Sequence, residues 1–242
     1  MGEERMLRIR EAAEMLGVSI DTLRRWDKSG KLVAIRKDGG THRYYREKDV
    51  EVFKSDLTKL AYAWLETASE LPAAFYCSNS AVFQARLITM QNQLARMPRV
   101  SKIFSLIVAI AGEIGNNSFD HNLGKWPDVP GVFFGYDLHK DMIVLADRGL
   151  GVLNTLKRVR PELKEHTEAL RVAFTEIITG RAPEARGNGL KFVREIVEKN
   201  PISIFFRSGD AELRIDRPNK EMRIARSPLT IPGCLAVIEF ST

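Results

Sequence analysis

Residues 103–121 read IFSLIVAIAGEIGNNSFDH. The first ten positions are almost wholly apolar and hold no turn-forming residue other than one glycine, as expected of a buried helix. The chain then continues without a proline. It places Glu113, Asn116, Asn117, Asp120 and His121 at i, i+3, i+4, i+7 and i+8. That is the spacing of one helical face, filled here with polar groups where a helix usually sets its core. Taken alone, the stripe reads as a solvated helix end. The residues downstream of it decide whether it is something more.

Beyond the stripe the character of the chain changes. GVFFGYDL (131–138) and DMIVLAD (141–147) read as strands, with 137–140 turning between them. Helical segments are expected near 152–158 and 167–178, then a glycine-bearing turn, then a helix at about 189–199. Four strand-like runs close the chain: ISIFFRS, AELRID, EMRIAR and CLAVIEF. Upstream, Ser80 to Met97 reads as an amphipathic helix broken by Pro98, and the striped helix runs from Val100 to about Asn122. Helices mixed with antiparallel-looking strands imply an α+β layered sandwich.

Two further motifs bear on the stripe. VLADRGLGV carries Asp147, Gly149 and Gly151 at a strand end, and EARGNGLKFVREIV carries Gly187, Asn188, Gly189 and Leu190 at the mouth of a helix. Singly, each is a common turn, because glycine supplies positive φ. Together they suit a nucleotide. A strand-end carboxylate can accept a hydrogen bond from an exocyclic amino group, and adjacent glycines let a flat base approach the backbone. A glycine turn opening a helix offers N–H groups to phosphate. An asparagine on a neighbouring helix can ligate Mg²⁺, which prefers hard oxygen ligands. A glutamate one turn earlier can orient or deprotonate a water or hydroxyl. No GxxxxGK[ST] occurs, which excludes a P-loop.

Over residues 75–242 this order of motifs resembles the GHKL ATPases (gyrase, Hsp90, histidine kinase, MutL). The resemblance implies a Bergerat-type α/β sandwich binding ATP with Mg²⁺. By it, Glu113 would be the general base, Asn117 the metal ligand, and Asp147 the reader of adenine. Gly149, Gly151, Gly187, Asn188, Gly189 and Leu190 would line the nucleotide. The segment between the glycine motifs would be a lid. Arg158, Arg160, Lys164, Arg181 and Arg186 lie there, and the sequence does not choose which of them meets the γ-phosphate or whether they form a solvated loop.

The amino-terminal third is a different unit. LRIREAAEMLG (7–17) has apolar residues at helical spacing, Gly17 ends it, and Ser19 is placed to cap a second helix over 20–29. Leu23 and Trp26 can face inward, while Thr22, Arg24 and Arg25 face out. KLVAIRKDGGTHRYY comes next as a hairpin turning at Asp38-Gly39-Gly40. Two short helices with a tight turn make a helix-turn-helix, whose second helix meets base edges in the major groove. Arg36, Lys37, His42, Arg43 and Tyr45 on the hairpin suit phosphate contact, which positions without specifying. Residues 7–53 resemble the MerR/excisionase-type winged helix-turn-helix, with Arg43, Tyr45 and Asp49 at the wing positions of that family. That resemblance implies double-stranded DNA as a partner, contacted by Ser19, Thr22, Arg24, Arg25, Arg36, His42, Arg43 and Tyr45.

The organisation expected is therefore 1–55 as the DNA-binding unit, 56–74 as a helical connector and 75–242 as the nucleotide-binding unit. Within a helix expected over 46–71, Val50, Phe53, Leu57, Leu60, Trp64 and Leu71 fall on alternating three- and four-residue steps, with only Thr67 breaking the run. They suit a packed connector or a dimer helix. With two-fold operators in mind, a homodimer is expected.

Composition bounds the rest. The 242 residues are 44% hydrophobic and 28% charged, with net charge +6 and a pI of about 9.4. Such a balance permits an anionic partner. Two distant cysteines, Cys77 and Cys234, form no CxxC, and with no signal-peptide core at the start a cytoplasmic setting is expected. The longest apolar run is too short to span a bilayer, so no membrane is expected as a partner.

The two resemblances together imply a DNA-binding transcriptional regulator whose DNA binding or assembly is controlled by Mg-ATP binding or hydrolysis. A DNA-tethered serine/threonine kinase of the anti-sigma-factor type, acting on a protein partner, is the enzymatic alternative. An excisionase-like accessory protein of a mobile element is another. Among His42, His121, His139 and His166, none lies between the wing and the striped helix, which disfavours a histidine autokinase.

Overall fold

A computed structural model of the chain describes residues 5–16, 18–28, 32–36, 40–47, 49–50, 57–177 and 189–240. Gly17, Lys37, the turn at Asp38 and Gly39, Phe53, Arg181, Arg186, Gly187 and Asn188 lie outside the described residues.

The first unit opens with a short strand, β1 (Met6–Arg8), followed by α1 (Ile9–Leu16) and α2 (Ile20–Lys28). Residues 7 and 8, expected in the helix, are extended instead, because Leu7 pairs antiparallel with Tyr45 in β2 (Tyr44–Arg46). The two arms of the expected hairpin meet at Ile35 and Tyr44, which exchange both backbone hydrogen bonds at 2.7 and 3.0 Å. Leu7, Ala12, Ala13, Leu23, Leu32, Ala34, Tyr45 and Val50 form one small core.

The larger unit is built on one antiparallel sheet. Its strands are β3 (Tyr76–Cys77), β4 (Val132–Asp137), β5 (Met142–Asp147), β6 (Ile202–Ile215) and β7 (Met222–Phe240), in the spatial order β3-β4-β5-β7-β6. The four strand-like runs near the carboxyl end are thus two long strands. β6 passes through an irregularity at Ser208–Ala211, where Gly209 takes φ +60°, and this interrupts the alternation that a sequence reading follows.

Helices cover both faces. On one side lie α4 (Ser80–Leu94), α5 (Phe104–Asn122), α7 (His166–Thr175) and α8 (Gly189–Lys199), with short α6 (Gly151–Leu156) at the end of β5. Asn79 caps α4, its side-chain oxygen accepting the Val82 N–H at 3.0 Å. Alternation then sorts the strand residues. Phe134, Ile143, Leu145, Ile204, Phe206, Ala236 and Ile238 face this helical layer and pack with Phe83, Leu87, Ile107, Ile110 and Ile114.

On the opposite face, among the described residues, lies one helix, α3 (Leu57–Thr67). It is shorter than the element expected to run to Leu71, since Ala68 takes φ +51° and turns the chain away. Its buried face, Ala61, Trp64 and Leu65, meets Phe75, Phe133, Val144, Ala146, Ile231 and Leu235. α3 seals the second face of the sheet. Both cysteines are free thiols. No helix among the described residues is long and apolar enough to cross a membrane.

Trp64 is 2% exposed and supplies the largest side chain of the α3 layer. Trp64→Ala should destabilise the sheet unit by about 3–5 kcal/mol, read as a lowered midpoint in denaturant unfolding. A change within about 0.5 kcal/mol, the range of ordinary surface substitutions, would mean that α3 is not part of that core.

Candidate functional site

In the first unit, Ser19 does what its position suggests. Its Oγ accepts the Thr22 N–H at 3.1 Å and lies 2.9 Å from Thr22 Oγ1. Arg25 Nη2 donates to that same Thr22 oxygen at 3.2 Å, and Arg24 Nη1 donates to Asp21 at 2.9 Å. Arg24, Arg25, Arg36 and His42 are exposed, and Thr22 is half-buried.

Two wing residues differ from expectation. Tyr45 is 1% exposed, with its hydroxyl donating to the Leu23 carbonyl at 3.4 Å. It is a core residue tying the wing to α2, so its ring does not reach a phosphate. Arg43 and Arg36 both donate to Asp27 Oδ2, at 2.6 and 2.7 Å, and Asp27 Oδ1 accepts the Ala34 N–H at 3.0 Å. The Asp27 side chain is only 4% exposed. Sequence reasoning did not single it out, because one acidic residue in a basic stretch looks like surface. It is the anchor that sets the angle of the wing arginines against α2, leaving their other donors for an anion.

In the larger unit the three motifs converge. Asp147 ends β5 and is 3% exposed. Its carboxylate accepts Ser118 Oγ at 2.8 Å, the Gly149 N–H at 2.8 Å and the Cys234 N–H. Burial pushes its pKa above the ordinary carboxylate value and outweighs these three donors. A carboxylate has about four acceptor positions, so one remains for a further donor.

α5 contributes more than its stripe. Glu113 and Asn117 both lie against Gly189 at the start of α8. A Cβ there would sit 2.5 Å from Glu113 Oε2 and 2.9 Å from Asn117 Nδ2. Asn116 turns to α4, where its oxygen accepts Gln84 Nε2 at 2.7 Å. Asp120 and His121 are exposed. The residues gripping the first glycine motif are instead Ser118 and Asn122, both buried and both outside the stripe. Asn122 accepts the Leu150 N–H at 2.8 Å and donates to the Ser118 carbonyl at 2.7 Å. A Cβ on Gly149 would collide with it at 2.1 Å. The glycine at 149 is therefore required by a protein side chain, not only by room for a flat ligand.

Gly151 takes φ +73° at the start of α6, beside Ser208, whose Oγ accepts the Val152 N–H and donates to the Gly233 carbonyl, both at 2.9 Å. Gly233 itself abuts Asp147, a Cβ there falling 2.6 Å from Oδ1. Ser208 and Gly233 come from distant strands and had no signal in the linear sequence. Leu190 is half-buried beside the helical-layer core.

Of the basic residues between the glycine motifs, Arg158 and Lys164 are exposed. Arg160 is engaged by Glu162 and by Glu176, the latter at 2.8 Å. Oxygens of Glu113 and Asn117 are hard donors, but two side chains are too few to complete a Mg²⁺ shell. Phosphate oxygens and water would have to supply the rest.

With this geometry in view, two comparisons are informative. Residues 8–45 match the MerR family regulatory protein family. They form a MerR-type helix-turn-helix, the DNA-binding part of the chain, as the two helices and the wing pairing indicate. A second match, 48% identical over 44 residues, is to the type II methyltransferase M.Eco47II of Escherichia coli. It covers 18% of this chain and only 11% of that protein.

The Asp27 anchor carries a pH signature. Burial alone would raise its pKa, but the Ala34 amide and the two arginines outweigh burial and hold it below the ordinary value of 3.8. A carboxylate lowered in the folded state contributes stability above its unfolded pKa and loses it as pH falls through the folded value. Asp27→Asn should destabilise the first unit by about 1–3 kcal/mol at neutral pH. The gap between wild type and variant should shrink only below about pH 4. Thermal melts across pH 2.5–7 check this, and a gap that persists unchanged at the acid end would contradict it.

Proposed function

We propose that the chain is a DNA-binding regulator whose larger unit binds Mg-ATP. The DNA-binding half rests on the MerR-type domain. The nucleotide half rests on one observation above the others: Glu113 and Asn117 of α5 meet Gly189 of α8, while Asp147 is buried at the adjacent strand end with an acceptor position left over. The sheet order, with helices layered on the Asp147 face, supports the Bergerat-type reading.

In this reading Asp147 accepts the exocyclic amino group of adenine. Asn117, with water, holds the Mg²⁺ bound to the phosphates, and the metal supplies charge neutralisation there. Glu113 orients or deprotonates the water that attacks the terminal phosphate. Gly189 and Leu190 line the phosphates at the α8 amino terminus. The unengaged cations Arg158 and Lys164 become the described lid candidates for phosphate contact.

Equilibrium binding of Mg-ATP and Mg-GTP to the full chain tests the site. Mg-ATP should bind in preference, and Asp147→Asn should weaken it by about tenfold or more, as expected for losing a hydrogen bond to a charged group. Glu113→Gln should keep the affinity and lower phosphate release by about 10²-fold or more. No measurable Mg-ATP binding by wild type would end the nucleotide reading. Release equal in wild type and Glu113→Gln would leave a nucleotide-binding site without hydrolysis.

A further inference from the structure

Two arginines connect the candidate site to the far face of the sheet. Asp147 faces the helical layer, so the next residue, Arg148, faces α3. Its Nη1 donates to the carbonyl of Trp64 at 3.1 Å and to that of Leu65, and its Nε donates to Asp128 Oδ2 at 2.9 Å. Both acceptors lie in the last turn of α3, where carbonyls run short of intrahelical donors; the Trp64 carbonyl also accepts the Ala68 N–H at 2.9 Å. Arg148 is thus a carboxyl-terminal cap for α3, supplied from within the Asp-Arg-Gly-Leu-Gly motif.

The same arrangement recurs on β6. Ser208 faces the site and bonds the backbone of Val152 and Gly233. Its neighbour Arg207 faces α3, where Nη1 donates to the Tyr62 hydroxyl at 3.1 Å and the guanidinium lies 5.7 Å from the Tyr62 ring centre. Arg207 is 4% exposed, yet its named partners are neutral: Tyr62, Ser227 and the Leu229 carbonyl. A buried arginine without a carboxylate is costly, and its Nε is left without a partner. Cost of that kind, set between a site residue and a helix, marks a joint and not simple core filling. Arg148 also lines a cleft, with Tyr62, Leu65, Glu66, Leu229 and Pro232, between the end of α3 and β7.

We propose that Arg148 and Arg207 are positioning residues that transmit occupancy of the nucleotide site through the sheet to α3, the helix that comes after the DNA-binding domain in the chain. This rests on the nucleotide reading. A ligand accepted by Asp147 and the 149–151 backbone fixes the main chain at 147–152 and the Ser208 contact to Val152. Because each arginine shares a peptide bond with one of these residues, its grip on α3 tightens with them. The helix that follows the DNA-binding domain in the chain is then held more firmly when the site is filled.

Amide hydrogen exchange on the full chain, with and without saturating Mg-ATP, tests this. In wild type, exchange should slow in two separate segments, 144–152 and 57–67, the second by about fivefold or more, the lower end of ordinary coupling between sites. In Arg148→Gln and in Arg207→Lys the slowing at 144–152 should persist while that at 57–67 is lost, with Mg-ATP affinity unchanged. A merely structural role would speed exchange of α3 in both states without removing its response to nucleotide. Slowing at 144–152 with none at 57–67 in wild type, or a response at 57–67 that survives both substitutions, overturns the proposal and leaves the nucleotide site standing. No slowing in either segment overturns the nucleotide reading, and the proposal with it.

Discussion

A carboxylate buried at the end of a central strand has to be satisfied by its surroundings, and Asp147 organises the larger unit around that requirement. Desolvation disfavours its charge. The compensating donors come from three places: Ser118 on α5, the amide of Gly149 in the following turn, and the amide of Cys234 on β7. Each donor fixes an element. Ser118 sets the rotation of α5, and that rotation turns Glu113 and Asn117 toward α8 and Asn116 toward Gln84 on α4. The turn at 149–151 can close only because Asn122, one helical turn beyond Ser118, bonds the Leu150 amide and occupies the space a side chain at 149 would need. Gly233 must lack a side chain for β7 to come close enough to donate.

The DNA-binding unit is arranged on the same principle at a smaller scale. Asp27 is buried, and the wing is positioned by the groups that satisfy it: one backbone amide and two arginines. A small core of mostly aliphatic residues could not by itself dictate the angle of a short wing, since apolar contact is non-directional. A charged acceptor with three donors can. The wing arginines Arg36 and Arg43 are held from behind by this acceptor.

The sequence carried this layout unevenly. Elements with strong periodicity were legible: α1, α2, α4, α5, α8 and the β4–β5 hairpin fall within a few residues of expectation. The long strands β6 and β7 were broken into four runs because the Gly209 irregularity in β6 and the proline- and glycine-bearing stretch 227–233 in β7 read like loops in a linear reading. β1 was hidden because three extended residues run straight into α1, and only Tyr45, nearly forty positions away, makes them a strand. In the site, the polar stripe on α5 was visible and its importance came from the two glycine motifs. Its division of labour was not visible. Ser118 and Asn122 are polar residues among apolar neighbours, a pattern shared with ordinary helix positions, and only the packed structure shows that they face Asp147. Tyr45 left its expected role for the same reason: burial, which sequence does not display, turned an expected phosphate contact into core, and it made an anchor of Asp27, to which no role had been given.

Strand alternation joins these observations. A sheet with helices on both faces keeps its two layers apart, yet consecutive residues on one strand belong to opposite layers by geometry alone. Placing arginines next to Asp147 and Ser208 uses that geometry to bring the end of α3 into contact with the backbone of the candidate site. Other residues at the sheet's second face, such as Val144, Ala146 and Leu235, make only apolar contact with α3 and would tolerate sliding. The directional contacts at the Trp64 and Leu65 carbonyls and the Tyr62 hydroxyl would not. The position of α3 is therefore set by two points on the sheet that adjoin the candidate site in sequence.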